Sequence, residues 1–144
     1  MRRLHCGGTL LRSFEGWVTR SLVLAITFAL APLALAGGLP VRIGQCATTT
    51  VKKVETRLAD GATNQPMPGS GSAIELENGG YQVSYDQVPA VDRSRPGDPV
   101  RMCLVSIPRH CPPGDDRGRV FKTTNLRTRG SWSLPDSEHE CGGA

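Results

Sequence analysis

Apolar and polar positions alternate in short runs along residues 37–144, and the period of two predicts strands. The run from Asp98 to Pro113, DPVRMCLVSIPRHCPP, is apolar on both parities: Val100, Met102 and Leu104 on one, Cys103, Val105 and Ile107 on the other. Two-sided apolar character predicts a strand in the middle of a sheet, ended by Pro108, which cannot donate to a ladder. Thr48 to Leu58 is rich in β-branched residues and free of Gly and Pro; it predicts a strand, although Val51, Val54 and Leu58 also fit helical spacing. SAIELE and GYQVSY flank Asn78-Gly79, which predicts a two-residue hairpin turn. In that register Leu76 faces Tyr81, Ile74 faces Val83 and Ser72 faces Tyr85, so these apolar residues point inward while Glu75, Gln82 and Ser84 point outward.

RVFKTTNL (Arg119 to Leu126) and SWSL flank RTRG, which suits a bulged hairpin with Gly130 left-handed, Leu126 near Trp132 and Thr124 near Leu134. Turn formers dominate Ala59 to Ser72, which predicts a mobile surface loop in 59–72. Val88 to Pro99 carries three prolines and reads as an irregular crossing. Five or six short strands without a long amphipathic helix predict a mainly β fold, a small antiparallel meander curled into a barrel or sandwich.

Compartment follows from the first 36 residues. Arg2, Arg3, Arg12 and Arg20 precede a charge-free run, Ser21 to Ala36, that is shorter than the ~20 residues of a spanning helix and ends in Ala34-Leu35-Ala36. This is the layout of a cleaved signal peptide with its junction at Ala36 and Gly37, leaving a single domain over 37–144 in the periplasm or outside the cell. Cleavage removes four of 17 basic and one of 13 acidic residues, so the net charge of the remainder is 13 − 12 = +1. The basic residues are scattered in sequence among acidic ones, which argues against nucleic acid as a partner, and the membrane is met only through the leader.

Cys6 leaves with the leader. Cys46, Cys103, Cys111 and Cys141 remain, an even set that predicts two disulfides in an oxidising compartment. The last hairpin returns the tail to the end where the 108–118 loop enters. Cys111–Cys141 and Cys46–Cys103 are therefore favoured over Cys103–Cys111, which has little slack across Pro108.

The same geometry gathers His110, His139, Asp115 and Asp116 with Glu138 and Glu140, the residue types of a ligand or metal site. Their spacing matches no established zinc pattern, and oxidised cysteines are not metal ligands. Ser137, His139 and Asp136 share one short tail and lack the separate supports of a catalytic triad. Asp115 and Arg117 in PPGDDRG also suit a turn held by a local ion pair. No cofactor is implied.

From Gly79 onward, the runs GGYQVSYDQVP, SRPGDPV, CLVSIP, CPPGDDRG and NLRT, with the Trp132, Leu134 to Asp136, His139 and CGGA positions, resemble a group of small exported bacterial proteins of unassigned function. The resemblance covers about the last two-thirds of the chain beyond the leader; Gly37 to Ser72 lies outside it. It implies a periplasmic or secreted domain with four cysteines and transfers no catalytic residue. The expectation is a non-enzymatic module binding a protein, glycan or small ligand through its loops, with a metal-dependent or hydrolytic enzyme using His110 and His139, or an envelope structural protein, as alternatives.

Overall fold

A computed structural model describes residues 37–143; the segment expected to be a cleaved signal peptide, residues 1–36, lies outside the described residues. Six strands form one antiparallel sheet curled into a half-barrel: β1 (Cys46–Thr56), β2 (Ser72–Leu76), β3 (Tyr81–Ser84), β4 (Pro99–Ser106), β5 (Val120–Asn125) and β6 (Ser131–Pro135), in the order β3-β2-β1-β4-β5-β6. Two three-stranded meanders are thus joined through β1 and β4. The eleven-residue β1 serves both: Cys46 to Thr50 pair with β4, and Val51 to Thr56 pair with β2, with an irregularity between Val51 and Lys53 where the partner changes. A bulge increases local twist, which is how one long strand can belong to both walls of a curled sheet.

The core is Val51, Ile74, Leu76, Val100, Met102, Leu104, Phe121 and Trp132, joined by Val91 from the one-turn helix α1 (Pro89–Asp92). That helix corrects the irregular crossing expected over 88–99. It lies against β1, β2 and β6, and its Val91 is fully buried.

β4 is central, as expected, yet only one of its faces is buried. Val100, Met102 and Leu104 are fully enclosed, whereas Val105 is 42% and Ile107 40% exposed. Nothing in residues 37–143 forms a second layer over the outer face of β1, β4, β5 and β6.

Both hairpins differ in register from the sequence reading. The first closes over three residues, with Gly79 N donating to Leu76 O and Leu76 N to Gly80 O. Gly79 (φ 83°) takes the left-handed position, and Asn78 accepts from Gly80 N through its side chain rather than adopting positive φ itself. Ile74 therefore faces Gln82 and Ser72 faces Ser84. The slip puts Gln82 inside, fully buried, and leaves Tyr85 exposed.

In the last hairpin Arg129 (φ 62°), not Gly130, is left-handed, and Arg129 N donates to Asn125 O. Thr123 faces Trp132 and Phe121 faces Leu134, so Leu126 is 44% exposed and outside the apolar patch. Gly130 matters for packing instead, since a Cβ there would sit 3.1 Å from that of Ala90 and its bareness admits α1.

Gln82 joins the two edge strands that no ladder connects. Its Oε1 accepts from Trp132 Nε1 (3.0 Å) and Thr123 Oγ1 (2.6 Å); its Nε2 donates to Phe121 O (2.7 Å) and Leu134 O (3.2 Å). All four bonding positions of the amide are used, and together they bridge β3 to β5 and β6.

Candidate functional site

Both disulfides pair as expected. Cys46 and Cys103 face each other directly across β1 and β4, and Cys111–Cys141 ties the tail to the 108–118 loop. The tie brings the tail cluster together, and its polar groups then serve one another. Asp115 accepts from Arg117 Nε and Nη2 (both 2.8 Å) and from Gly142 N (3.0 Å). Those bonds, the guanidinium's first, hold its carboxyl well below the usual range.

Asp116 pairs with Arg119, and Asp136 accepts from Gly118 N and Arg119 Nε. Glu138 pairs with Arg57, whose guanidinium lies 4.3 Å from the centre of the Tyr85 ring. His110 and His139 are exposed on the rim. Ser137 donates its hydroxyl to the His139 carbonyl, so Ser137, His139 and Asp136 form no relay. Among the described residues no three or more His, Cys, Asp and Glu side chains are grouped to hold a metal ion. The arrangement is a latch.

A different pair of loops builds a cleft. Arg95-Pro96-Gly97-Asp98 folds as a turn closed by Asp98 N donating to Arg95 O (3.0 Å), with Gly97 at φ 86°, the backbone that Pro-Gly favours at a type II turn. The turn buries Asp98 at the head of β4, 6% exposed. Its carboxylate accepts from Arg95 N (2.9 Å), Asn125 Nδ2 (2.8 Å) and Arg127 Nη2 (2.8 Å), and from Arg127 Nε. The Arg127 bonds come first among the causes that hold this carboxyl far below its ordinary value, against the opposing effect of burial.

Asn125, fully buried, is the matching piece on β5. Its Nδ2 also donates to Ser94 Oγ (2.9 Å), and its Oδ1 accepts from Arg127 N (2.9 Å) and Thr128 N (3.0 Å), which shapes the last hairpin loop. Arg127 Nη2 reaches on to Arg93 O (3.0 Å), fixing the crossing loop against that hairpin.

Between the two loops lies a cavity of about 390 Å³ lined by Asp92, Arg93, Ser94, Arg95, Arg127 and Thr128. Arg93 and Arg95 are exposed, and among the described residues neither has a carboxylate within ion-pair distance. Asp92, at the rim, has one carboxylate oxygen engaged by the Ser72 hydroxyl (2.6 Å). The cleft is therefore lined by two arginines that make no ion pair and by the Asp92 carboxylate, whose only side-chain partner is a neutral hydroxyl, beside the matched Asp98–Arg127 pair.

Neither Asp98, Asn125 nor Arg127 stands out in the sequence as a site residue. The Pro96-Gly97 dipeptide is the signal that could have located the turn, and nothing local marks the partners of Asp98, 27 and 29 positions away. Comparison with protein-family models, with curated proteins and with solved structures finds no match for this chain.

Proposed function

We propose that this is an exported, non-enzymatic binding domain whose cleft between the crossing loop and the last hairpin receives an oxyanion, a carboxylate or phosphate group carried by a glycan or small ligand. The observation that carries this reading is the pair Arg93 and Arg95, exposed and without carboxylate partners, beside a guanidinium already locked in place by buried Asp98. Guanidiniums present forked donors that match oxyanions in two-point contacts, and a floor of satisfied hydrogen bonds fixes the loops before the ligand arrives. The cavity volume falls in the range of small-ligand sites, and its arginine rim favours a charged guest over an apolar one.

Export agrees with the signal-like leader, with the resemblance to small exported proteins and with two disulfides, which fit an oxidising environment. The test is an NMR titration of residues 37–144 with inorganic phosphate and with oligogalacturonate. Shifts confined to residues 92–95 and 127–128, lost in Arg93→Ala/Arg95→Ala, are expected. Silence of those resonances at millimolar ligand, or shifts centred instead on His110 and His139, would overturn the assignment.

A further inference from the structure

The fold lays side by side three stretches of the chain that lack acidic residues. Residues 37–54, 99–114 and 117–135 contain no Asp or Glu, and they hold ten of the 13 Lys and Arg residues of 37–144; Lys52, Lys53, Arg117, Arg119 and Arg127 pair with carboxylates from other segments, while Arg42, Arg101, Arg109, Lys122 and Arg129 make no ion pair among the described residues. These stretches build most of the four-stranded wall formed by the first half of β1 with β4, β5 and β6. The outer face of that wall bears Arg101 and Lys122 among Thr48, Thr124, Ser131 and Ser133. Arg101 lies opposite Thr48 and Thr124, and Lys122 lies opposite Cys103 and Ser133. The two cations are diagonal neighbours on adjacent strands, both are exposed, and among the described residues neither has a carboxylate within ion-pair distance.

At the end of this face marked by the Cys46–Cys103 disulfide, the surface turns apolar. The lead-in to β1 is bound alongside β4, with Gly44 N donating to Leu104 O and Leu104 N to Gln45 O. This sets Val41 (61% exposed) and Ile43 (64%) at the same end of the sheet as Val105 and Ile107. Arg42 and Arg109 are interspersed with them, both exposed.

We propose that this outer face docks on an anionic phospholipid surface, with Val41, Ile43, Val105 and Ile107 entering the headgroup region and Arg101, Lys122, Arg42 and Arg109 meeting lipid phosphates. Charge complementarity selects the occupant: a wall with cations and no carboxylate is matched by a negative plane, and apolar residues interleaved with arginines suit an interface that is wet on one side and oily on the other. A sulfated polysaccharide would satisfy the cations but would leave the four aliphatic side chains in water. The sequence alone suggests contact with the membrane only through the leader, because the acid-free stretches form one face only after β1, β4 and β5 are laid side by side. This surface is separate from the cleft, and either assignment can fail without the other.

Co-sedimentation of residues 37–144 with vesicles tests it. The chain should pellet with phosphatidylglycerol-containing vesicles, stay in solution with pure phosphatidylcholine, and be released by high salt. Arg101→Glu/Lys122→Glu should weaken partitioning by about 25-fold or more, taking roughly a fivefold loss for each cation removed as the lower bound. Arg101→Gln/Lys122→Gln should show a smaller loss in the same direction, and an unchanged circular-dichroism melt identifies both pairs as folded. Ile43→Ser/Val105→Ser should reduce the fraction that resists salt. Absence of pelleting on anionic vesicles at low salt, equal pelleting of the charge-reversed protein, or retention on a sulfated polysaccharide without vesicle binding would each overturn the proposal.

Discussion

Replacing Gln82 by Leu tests whether one amide holds the half-barrel closed. The substitution keeps the side chain's approximate volume and so opens no large cavity, but it strips partners from the buried Trp132 Nε1–H, the fully buried Thr123 hydroxyl, and the Phe121 and Leu134 carbonyls. An orphaned buried donor or acceptor costs roughly 1 to 3 kcal/mol, so the two donors alone account for roughly 2 to 6 kcal/mol. Burying the leucine methyls returns up to roughly 2 kcal/mol. Taking the midpoint of the loss, the expected net loss is about 2 kcal/mol, a substantial share of the roughly 5 to 15 kcal/mol typical of a domain.

Urea unfolding measures the loss directly, with Trp132, the sole tryptophan of residues 37–144, as the fluorescent reporter. A cycle with Trp132→Phe, followed by circular dichroism, separates the amide–indole bond from the rest. Because Phe has no N–H to orphan, the double variant should be more stable than the sum of the single losses predicts, by about 1 to 2 kcal/mol. A Gln82→Leu loss below about 1 kcal/mol would refute the argument, since even a single buried orphan costs that much.

Three further outcomes follow from the same structure. Gly71→Ala should fail to reach wild-type stability at any temperature tested, because a Cβ there would lie 2.0 Å from Ser84 O at a φ of 112°, and backbone cannot yield as a side-chain tip can; a melting temperature within a few degrees of wild type would contradict this. Thr49→Val should stabilise by roughly 1 kcal/mol, since Thr49 is 3% exposed and its Oγ1 has no hydrogen-bond partner among the described residues; destabilisation would show that the hydroxyl is satisfied. Asp98 has a carboxyl held below its ordinary value, so its contribution is present above the unfolded-state pKa of about 3.9 and is lost as pH falls from there toward the folded value. Urea midpoints taken from pH 7 down to pH 2 should therefore drop less steeply below pH 4 in Asp98→Asn than in wild type, and parallel curves would remove Asp98 from the acid response.

The strands were legible because alternation is a local property, and so was the end at which the tail meets the 108–118 loop, because antiparallel connectivity carries it there. Register was not. In SAIELENGGYQVSY the shift from a two-residue to a three-residue loop depends on whether Asn78 takes positive φ or caps Gly80 with its side chain, and both suit the same letters. The pattern preferred the register that buried Val83 and Tyr85 and exposed Gln82, since a glutamine facing inward is expensive without partners. Its partners are supplied by Phe121, Thr123, Trp132 and Leu134, from 39 to 52 positions away. The apolar outer parity of β4 misled for a related reason: Val105 and Ile107 signal a second packed layer only if a layer exists to receive them.

The cleft shows why a site can stay hidden when its strands do not. His110, His139, Asp115 and Asp116 drew notice because reactive residue types stood near cysteines, yet proximity let the carboxylates find arginines, and a matched ion pair is chemically quiet. Arg93 and Arg95, in the Val88 to Pro99 crossing loop, are only the second choice from sequence, a place for the site should the tail cluster fail, and Asp98 stands close by in the chain. The fold instead turns Asp98 inward, where its carboxylate accepts the Arg127 guanidinium, the Asn125 amide and only the backbone N–H of Arg95. Burial of one carboxylate thus leaves Arg93 and Arg95 without an ion pair among the described residues, with Asp92 the one carboxylate in the same lining. The binding capacity proposed for the cleft rests on that removal, and adding a second carboxylate to the lining beside Asp92, by Thr128→Glu, should silence it while leaving the Asp98 cluster intact.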